Sequence, residues 1–228
     1  MLKETIPHQS LKQININGNL VDIKAVHDDS PSMKDAYKLW YDVYMDELKY
    51  DLHELVDHEQ RTLGQTPNGS IVFLAYANTI CIGTLVATYE AFSMLEYDYS
   101  ELLPNKKIAQ LSRLITNKKY RKTELTAQIL IACSDFNLQT GNHQYCDTIV
   151  VNCTQKLLPY YYLFGFRSIA NKTITHPYTK NRSYLMQCSY ETNESVVQQM
   201  RKLVKGNKMM RLKWSIKYWW LKTIKFKK

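Results

Sequence analysis

Apolar and polar residues alternate at Val21-Asp22-Ile23-Lys24-Ala25-Val26, which predicts a strand closed by the turn-forming run Asp28-Asp29-Ser30-Pro31. The period then changes. Met33, Ala36, Tyr37, Trp40, Tyr41, Tyr44 and Leu48 recur at spacings of three and four, which predicts a helix with a buried stripe, capped by Ser30 or Ser32. Residues 51–68 show no clear period and carry acids and two histidines, so a loop or broken helix is expected there. Two β-branched runs, 70–76 and 80–88, flank Ala77-Asn78-Thr79 and predict a hairpin.

An irregular acidic and aromatic insert covers 90–105, and Ile108 to Ile115 reads as the next strand. The basic turn 117–122 leads into a helix from Thr123 or Glu124 to Gln139, apolar at Leu125, Ile129, Leu130, Ala132, Cys133 and Phe136 and ending near Gly141. Residues 147–151 form a buried strand, a short helix runs to Leu163, and Gly165-Phe166 stops it. Two more strands are expected around His176-Pro177. The order β, α, β, β, β, α, β, α, β, β is that of an α/β fold with a mixed sheet flanked by helices.

Composition narrows the class. The 228 residues are 45% hydrophobic and 12% aromatic, enough apolar surface to offset chain entropy, which excludes global disorder. The mean hydropathy of -0.39 excludes a polytopic membrane protein. Met1 to Thr5 lack a continuous apolar stretch, so neither a signal peptide nor a transmembrane start is expected, and the chain is read as cytoplasmic. The 5 cysteines, Cys81, Cys133, Cys146, Cys153 and Cys188, contain no pair at the two-residue spacing of a metal or redox loop and read as buried reduced thiols.

The net charge of +9 is concentrated at one end. Residues 195–228 carry 11 basic residues and no acid, leaving 19 basic and 21 acidic residues before them. The body, 1–194, is therefore no basic nucleic-acid-binding domain, and attraction to an anionic surface belongs to the tail, 195–228. In that tail Met209, Leu212, Ile216 and Trp219 form one helical stripe and Met210, Trp214, Tyr218 and Leu221 another, with cations between. No uncharged run approaches the ~20 residues that span a bilayer. A basic amphipathic helix at an anionic membrane surface or on an acidic protein fits this pattern, with Arg211, Lys213 and Lys217 as cations and Trp214, Trp219 and Trp220 as anchors. Single-stranded nucleic acid is the less favoured partner, and a tail without a dedicated partner is the remaining reading.

One motif misleads. His53-Glu54-Leu55-Val56-Asp57-His58 imitates a zinc-protease helix, but its histidines stand five apart, about 140° round a helix, and no metal site is expected.

Gln110-Leu111-Ser112-Arg113-Leu114-Ile115, Lys119-Tyr120-Arg121, the helix after it, Thr148 to Val151 and Leu157-Leu158-Pro159-Tyr160-Tyr161-Tyr162-Leu163-Phe164-Gly165-Phe166 together resemble the core of the GCN5-related N-acyltransferases. Leu39-Trp40-Tyr41-Asp42-Val43-Tyr44-Met45-Asp46-Glu47-Leu48 is similar to the first-helix segment of one branch, the long-chain N-acyl amino acid synthases and acyl-homoserine lactone synthases. The resemblance spans about residues 20–190. It implies a mixed, mostly antiparallel sheet and a cleft where two neighbouring strands splay apart around a thioester donor.

The resemblance places the donor along Leu111, Ser112, Leu114 and Ile115, whose backbone would pair with the pantetheine arm and stabilise an oxyanion. Its phosphate would meet Arg121, Lys122, Thr123 and Thr126 at the following helix N-terminus. Glu124 and Thr126 replace glycines of the usual phosphate pattern, which favours an acyl carrier protein over free acyl-CoA as donor and makes Lys118 and Lys119 docking cations. Tyr161 falls at the position of the tyrosine that protonates the departing thiolate, and Arg113 at that of an arginine that orients the acceptor or braces an acid. Gln110 stands where relatives carry glutamate and Trp40 where they carry arginine, so a base is expected from Glu47 or Asp57, or from solvent. No permanently bound cofactor is expected; acyl-ACP or acyl-CoA is a co-substrate. The implied activity is transfer of a long-chain acyl group to an amino-acid amine. An acetyl-CoA-dependent N-acetyltransferase and a non-catalytic binding module on the same fold are the alternatives.

Overall fold

Eight strands hydrogen-bond into one sheet in the order β1-β2-β5-β6-β7-β8-β10-β9: Ser10–Ile16, Asn19–His27, Ile71–Ala77, Ile80–Tyr89, Ile108–Thr116, Thr148–Cys153, Arg182–Ser189 and Arg167–Thr175. A separate two-residue pairing joins β3 (Val56–Asp57) to β4 (Thr62–Leu63). The computed structural model describes residues 10–50, 52, 56–64, 66–121, 123–175, 182–206, 214–216 and 218. Every pairing in the large sheet is antiparallel except β7 with β8. The mixed, mostly antiparallel α/β architecture expected from the sequence is thus present.

Both faces of the sheet are covered, so its central strands read as nearly continuous apolar runs, and all of β5 except Tyr76 is buried. On one face α2 (Leu125–Gln139) and α4 (Tyr190–Val204) pack over Ile23, Phe73, Leu85 and Ala87, with Phe136 of α2 edge-on to Phe73 at 5.6 Å. Gly83 permits the approach of α2, because a Cβ there would lie 2.8 Å from Ile129 Cδ1. On the other face α1 (Met33–Tyr41) buries Met33, Ala36, Leu39 and Trp40 against Val72, Leu74 and Val86. Beside it, Tyr99 and Leu103 of the 90–107 insert close over Ile108, Val150 and Leu185. Each fully buried aliphatic side chain contributes about 1.5–3 kcal/mol, so both layers are needed to hold the sheet.

Three departures from the sequence pattern bear on the site. The helix expected to run to Leu48 widens after Tyr41 into a π-helical segment, Asp42–Glu47, in which Leu48 N donates to Val43 O at 2.9 Å. The strand β1 and the β3–β4 pair appear where no strand was expected. The boundary expected between 194 and 195 falls inside α4, whose Val196, Val197 and Met200 belong to the main core. Most of the basic tail lies outside the described residues. Among the described residues no helix is long and apolar enough to cross a membrane.

Candidate active site

β7 and β8 pair only at Ile108–Thr148, Ala109–Ile149 and Gln110–Val150, and beyond that point no further pairing joins them. Leu111 to Leu114 are half-buried there, with one strand edge open. The opening begins next to a bulge. Thr84 of β6 pairs with Ile115 and Val86 with Ser112, so Arg113 and Leu114 face the single residue Leu85. Arg113 adopts a φ of 49°, a left-handed conformation that costs a non-glycine residue of order 1 kcal/mol or more and must be held by its surroundings. Trp40 provides part of that hold. Its indole donates to Thr84 Oγ1 at 2.9 Å, Thr84 Oγ1 donates to the Arg113 carbonyl at 2.9 Å, and the Arg113 guanidinium lies 4.9 Å from the Trp40 ring centroid.

The 90–107 insert brings a carboxylate to this bulge that sequence reasoning missed. Glu96 Oε1 accepts from Arg113 Nη1 at 2.5 Å, Glu96 Oε2 accepts from Gln110 Nε2 at 3.4 Å, and Gln110 Oε1 accepts from the Glu96 backbone N–H at 2.8 Å. Gln110 is itself buried, and it holds the loop in register by two opposed hydrogen bonds that a glutamate could not make at once. Tyr44 lies near this cluster. Burial pushes its phenol up to about 12, with Arg113 opposing and Glu96 reinforcing the rise.

Tyr161 stands on α3 (Leu158–Leu163), a short helix whose Tyr160, Tyr161 and Tyr162 pack against the main core. Gly165 ends α3 at φ 86°, with Phe166 N donating to Tyr161 O at 3.1 Å and Gly165 N to Tyr162 O at 3.2 Å, the paired bonds of a Schellman cap. That cap sets Phe166 edge-on to the Tyr161 ring at 5.5 Å. Burial raises the Tyr161 phenol far above its ordinary range, so it is protonated at any physiological pH. Tyr161, Leu111 and Leu114 line an open cleft together with residues of the sheet, α2 and α4. Leu85, Leu130, Ile149, Val151, Phe164 and Met200 give it apolar walls.

The turn after β7 and the start of α2 meet the first helical segment. Arg121 forms a bidentate pair with Glu47, its Nη2 donating to Oε2 at 2.7 Å, while Arg121 Nε donates to Thr116 O at 2.9 Å. Glu47, expected as a base, is therefore bound to a residue expected to contact the donor. Thr123 Oγ1 accepts from Leu125 N at 3.2 Å, and the Thr116 and Thr126 hydroxyls are 3.1 Å apart at the head of α2. Lys118 and Lys119 are exposed on the 3-10 turn before it, whose Asn117 side chain caps Lys119 N at 3.1 Å. Ile115 turns to the α1 face of the sheet. Asp57 lies on β3 and caps Gln60 N at 2.9 Å.

Trp214 packs its ring 5.6 Å from Phe164, placing this part of the tail beside α3. Lys122, His53, Arg211, Lys213, Lys217, Trp219 and Trp220 lie outside the described residues. His58 follows the short strand β3 and lies with its Nδ1 3.4 Å from the Tyr41 hydroxyl. All five cysteines are free and buried.

This arrangement, an antiparallel sheet with one parallel pair that opens beside a bulged strand, is the fold of the GCN5-related N-acyltransferases. No family model and no curated protein matches the sequence. Among solved structures the chain is similar to FeeM, an N-acyl amino acid synthase from uncultured soil microbes, at 14% identity and TM-score 0.55 over 76% of this chain and 93% of that one. It is equally similar to BjaI, a CoA-dependent acyl-homoserine lactone synthase solved with SAM and isopentyl-CoA, at 14% identity and TM-score 0.56 over 77% and 87% of the two chains. TofI, solved with an inhibitor and MTA, matches at 10% identity and TM-score 0.56 over 77% of this chain and 96% of that one.

Proposed function

We propose that the chain is an N-acyltransferase that moves a long-chain acyl group from acyl carrier protein, or from acyl-CoA, to the amine of an amino acid. The observation that carries this reading is the mostly apolar cleft that Leu111 and Leu114 of the open β7 edge line together with Tyr161. Apolar walls suit a fatty chain better than an acetyl group. The lost glycines at Glu124 and Thr126 and the occupied Arg121 fit a donor held partly through its carrier's surface, with Lys118 and Lys119 as contacts and the basic tail as a second one, on the acidic carrier or on an anionic membrane.

In this reading the thioester lies along Leu111 to Leu114, with backbone N–H groups of that open strand edge toward its carbonyl oxygen. The acceptor amine enters from the Glu96–Arg113 side, where Arg113 meets its carboxylate and Glu96 takes the proton as the C–N bond forms. The C–S bond then breaks, and the departing thiolate takes the Tyr161 phenol proton. Glu96, rather than Glu47 or Asp57, is the base, because it alone of the three stands at the bulge where β7 and β8 part. The test is incubation of the purified chain with dodecanoyl-CoA or dodecanoyl-acyl carrier protein and a mixture of amino acids, read by mass spectrometry. New N-dodecanoyl amino acids are expected. Hydrolysis alone, or no reaction with either donor by folded protein, would refute the reading.

A further inference from the structure

Trp40 of α1 is wholly buried although it carries a polar N–H, and that N–H is directed at the bulge of β7 through one hydroxyl. An indole can only donate, and a hydroxyl carries a single proton, so the direction of the chain is fixed. Trp40 Nε1 donates to Thr84 Oγ1 at 2.9 Å, and Thr84 Oγ1 donates its one proton to the Arg113 carbonyl at 2.9 Å. Each bond polarises the next, which strengthens the hold on the carbonyl. Thr84 is as fully buried as Trp40, so bulk water does not compete for the hydroxyl. A glycine would take the φ of 49° at this bulge freely, whereas arginine takes it only where such contacts hold it.

Among the described residues no peptide bond is cis, and in a trans unit the carbonyl and the following N–H point in opposite directions. With the Arg113 carbonyl drawn to Thr84, the Leu114 N–H points away from Thr84 and Trp40. Leu114 lines the cleft. The other end of Arg113 meets the same indole: its guanidinium lies 4.9 Å from the Trp40 ring centroid, while Nη1 donates to Glu96 Oε1 at 2.5 Å. A cationic side chain at 40 would repel that guanidinium, whereas the indole face attracts it. We propose that Trp40 and Thr84 are positioning residues, which turn the Leu114 N–H toward the thioester carbonyl and fix the Arg113 guanidinium beside Glu96. The inference rests on the acyltransferase reading and adds to it the residues that set its reaction geometry. Neither side chain touches the reacting atoms; both act through Arg113.

Thr84→Val keeps the branched shape of the side chain and removes the hydroxyl that links Trp40 to Arg113. Crystal structures of the wild type and this variant need no chemistry, whereas single-turnover acyl transfer from dodecanoyl-CoA or dodecanoyl-acyl carrier protein to a mixture of amino acids does. In the variant Arg113 is expected to leave the left-handed region or to turn its carbonyl from Thr84's place. The transfer rate at saturating donor is expected to fall roughly 10- to 100-fold with donor affinity within about threefold, as for a misplaced oxyanion donor. Thr84→Ser restores the hydroxyl and is expected to recover most of the rate. Trp40→Phe removes the N–H, keeps an aromatic face, and is expected to lower the rate by roughly two- to tenfold, the worth of one neutral hydrogen bond. It carries the same two readouts should valine at 84 prevent folding. An unmoved Arg113, a rate within about twofold of wild type in every variant, or a loss that Thr84→Ser does not recover overturns the assignment. A displaced Arg113 in a protein whose wild type transfers no acyl group keeps the hold on Arg113 and refutes the enzyme reading. Transfer by the wild type with Arg113 unmoved in the variants does the reverse.

Discussion

Glu96 and Arg113 meet at 2.5 Å although 17 positions separate them in sequence, one on an irregular insert and the other at a strained bulge. The contact sets a carboxylate beside the point where β7 and β8 part, next to Gln110 of β7. Glu96→Gln preserves the shape of this contact and removes the base. With the proposed reaction as readout, kcat is expected to fall about 100-fold or more at unchanged donor affinity. A variant within about threefold of wild type would show that solvent or another group takes the proton.

Tyr161→Phe removes a hydroxyl and leaves the ring that Phe166 abuts. Stability is expected to change by less than about 1 kcal/mol, since packing is kept. Thiol release under single-turnover conditions is expected to slow by about 100-fold, and addition of a small phenol or a more acidic thiol leaving group is expected to recover part of it. An unchanged rate would leave Tyr161 as a wall of the cavity only.

Much of the sheet is legible in the sequence because burial on both faces leaves runs such as Ile71–Ala77 almost wholly apolar, and the β5–β6 turn carries Asn78 at φ 57°. The edge strand β1 is not, because only Ile16 is buried and its residues do not alternate cleanly. Tyr161 is singled out by the resemblance, at four residues before Gly165, a local relation. Glu96 could not be, since only the tertiary path of the insert brings it to Arg113, and a lone acid among Leu95, Tyr97 and Tyr99 has no pattern. Glu47 shows the opposite case. It lies in a segment similar to a functional helix, yet its contact is Arg121, 74 positions away.

That pairing makes Glu47 and Arg121 separable. Arg121→Ala is expected to weaken donor binding by about tenfold, as one charged contact to phosphate is lost. Glu47→Gln frees the guanidinium and is expected to alter donor KM while kcat stays within about threefold. A 100-fold fall in kcat for Glu47→Gln, with Glu96→Gln near wild type, would exchange the roles of the two acids.

The buried thiols predict a loss of stability in alkali. Burial pushes Cys81, Cys133, Cys146 and Cys153 up to about 12 and Cys188 to about 11, from an ordinary 9.0. The native state therefore keeps protons that the unfolded chain releases above pH 9. Stability from this source is complete below about pH 9 and declines as pH rises toward 12, by about 1–2 kcal/mol per thiol at pH 10.5. The urea midpoint is expected to drop between pH 7.5 and 10.5, with thiol reagents reacting only on unfolding. A flat midpoint would show that the thiols ionise in the folded chain.

The tail is best removed after Gly206. A cut at 193 would take Val196, Val197 and Met200 out of the core, so any loss of binding would report unfolding. Gly206 follows α4, and eight of the tail's 11 cations lie beyond it in the sequence. Each cation near an anionic surface adds about 1 kcal/mol, so even partial engagement makes a large difference. Truncation after Gly206 is expected to leave the melting temperature within a few degrees and to lower binding to phosphatidylglycerol vesicles by about 100-fold at low salt. Added salt is expected to weaken the full chain's binding and leave the truncated chain's unchanged. The same pair of proteins titrated with acyl carrier protein distinguishes the two docking partners: loss on vesicles alone assigns the tail to the membrane, loss on the carrier alone to the donor. Undiminished binding to both would mean that the tail's charge serves neither, and that Trp214 against Phe164 is packing at the edge of α3.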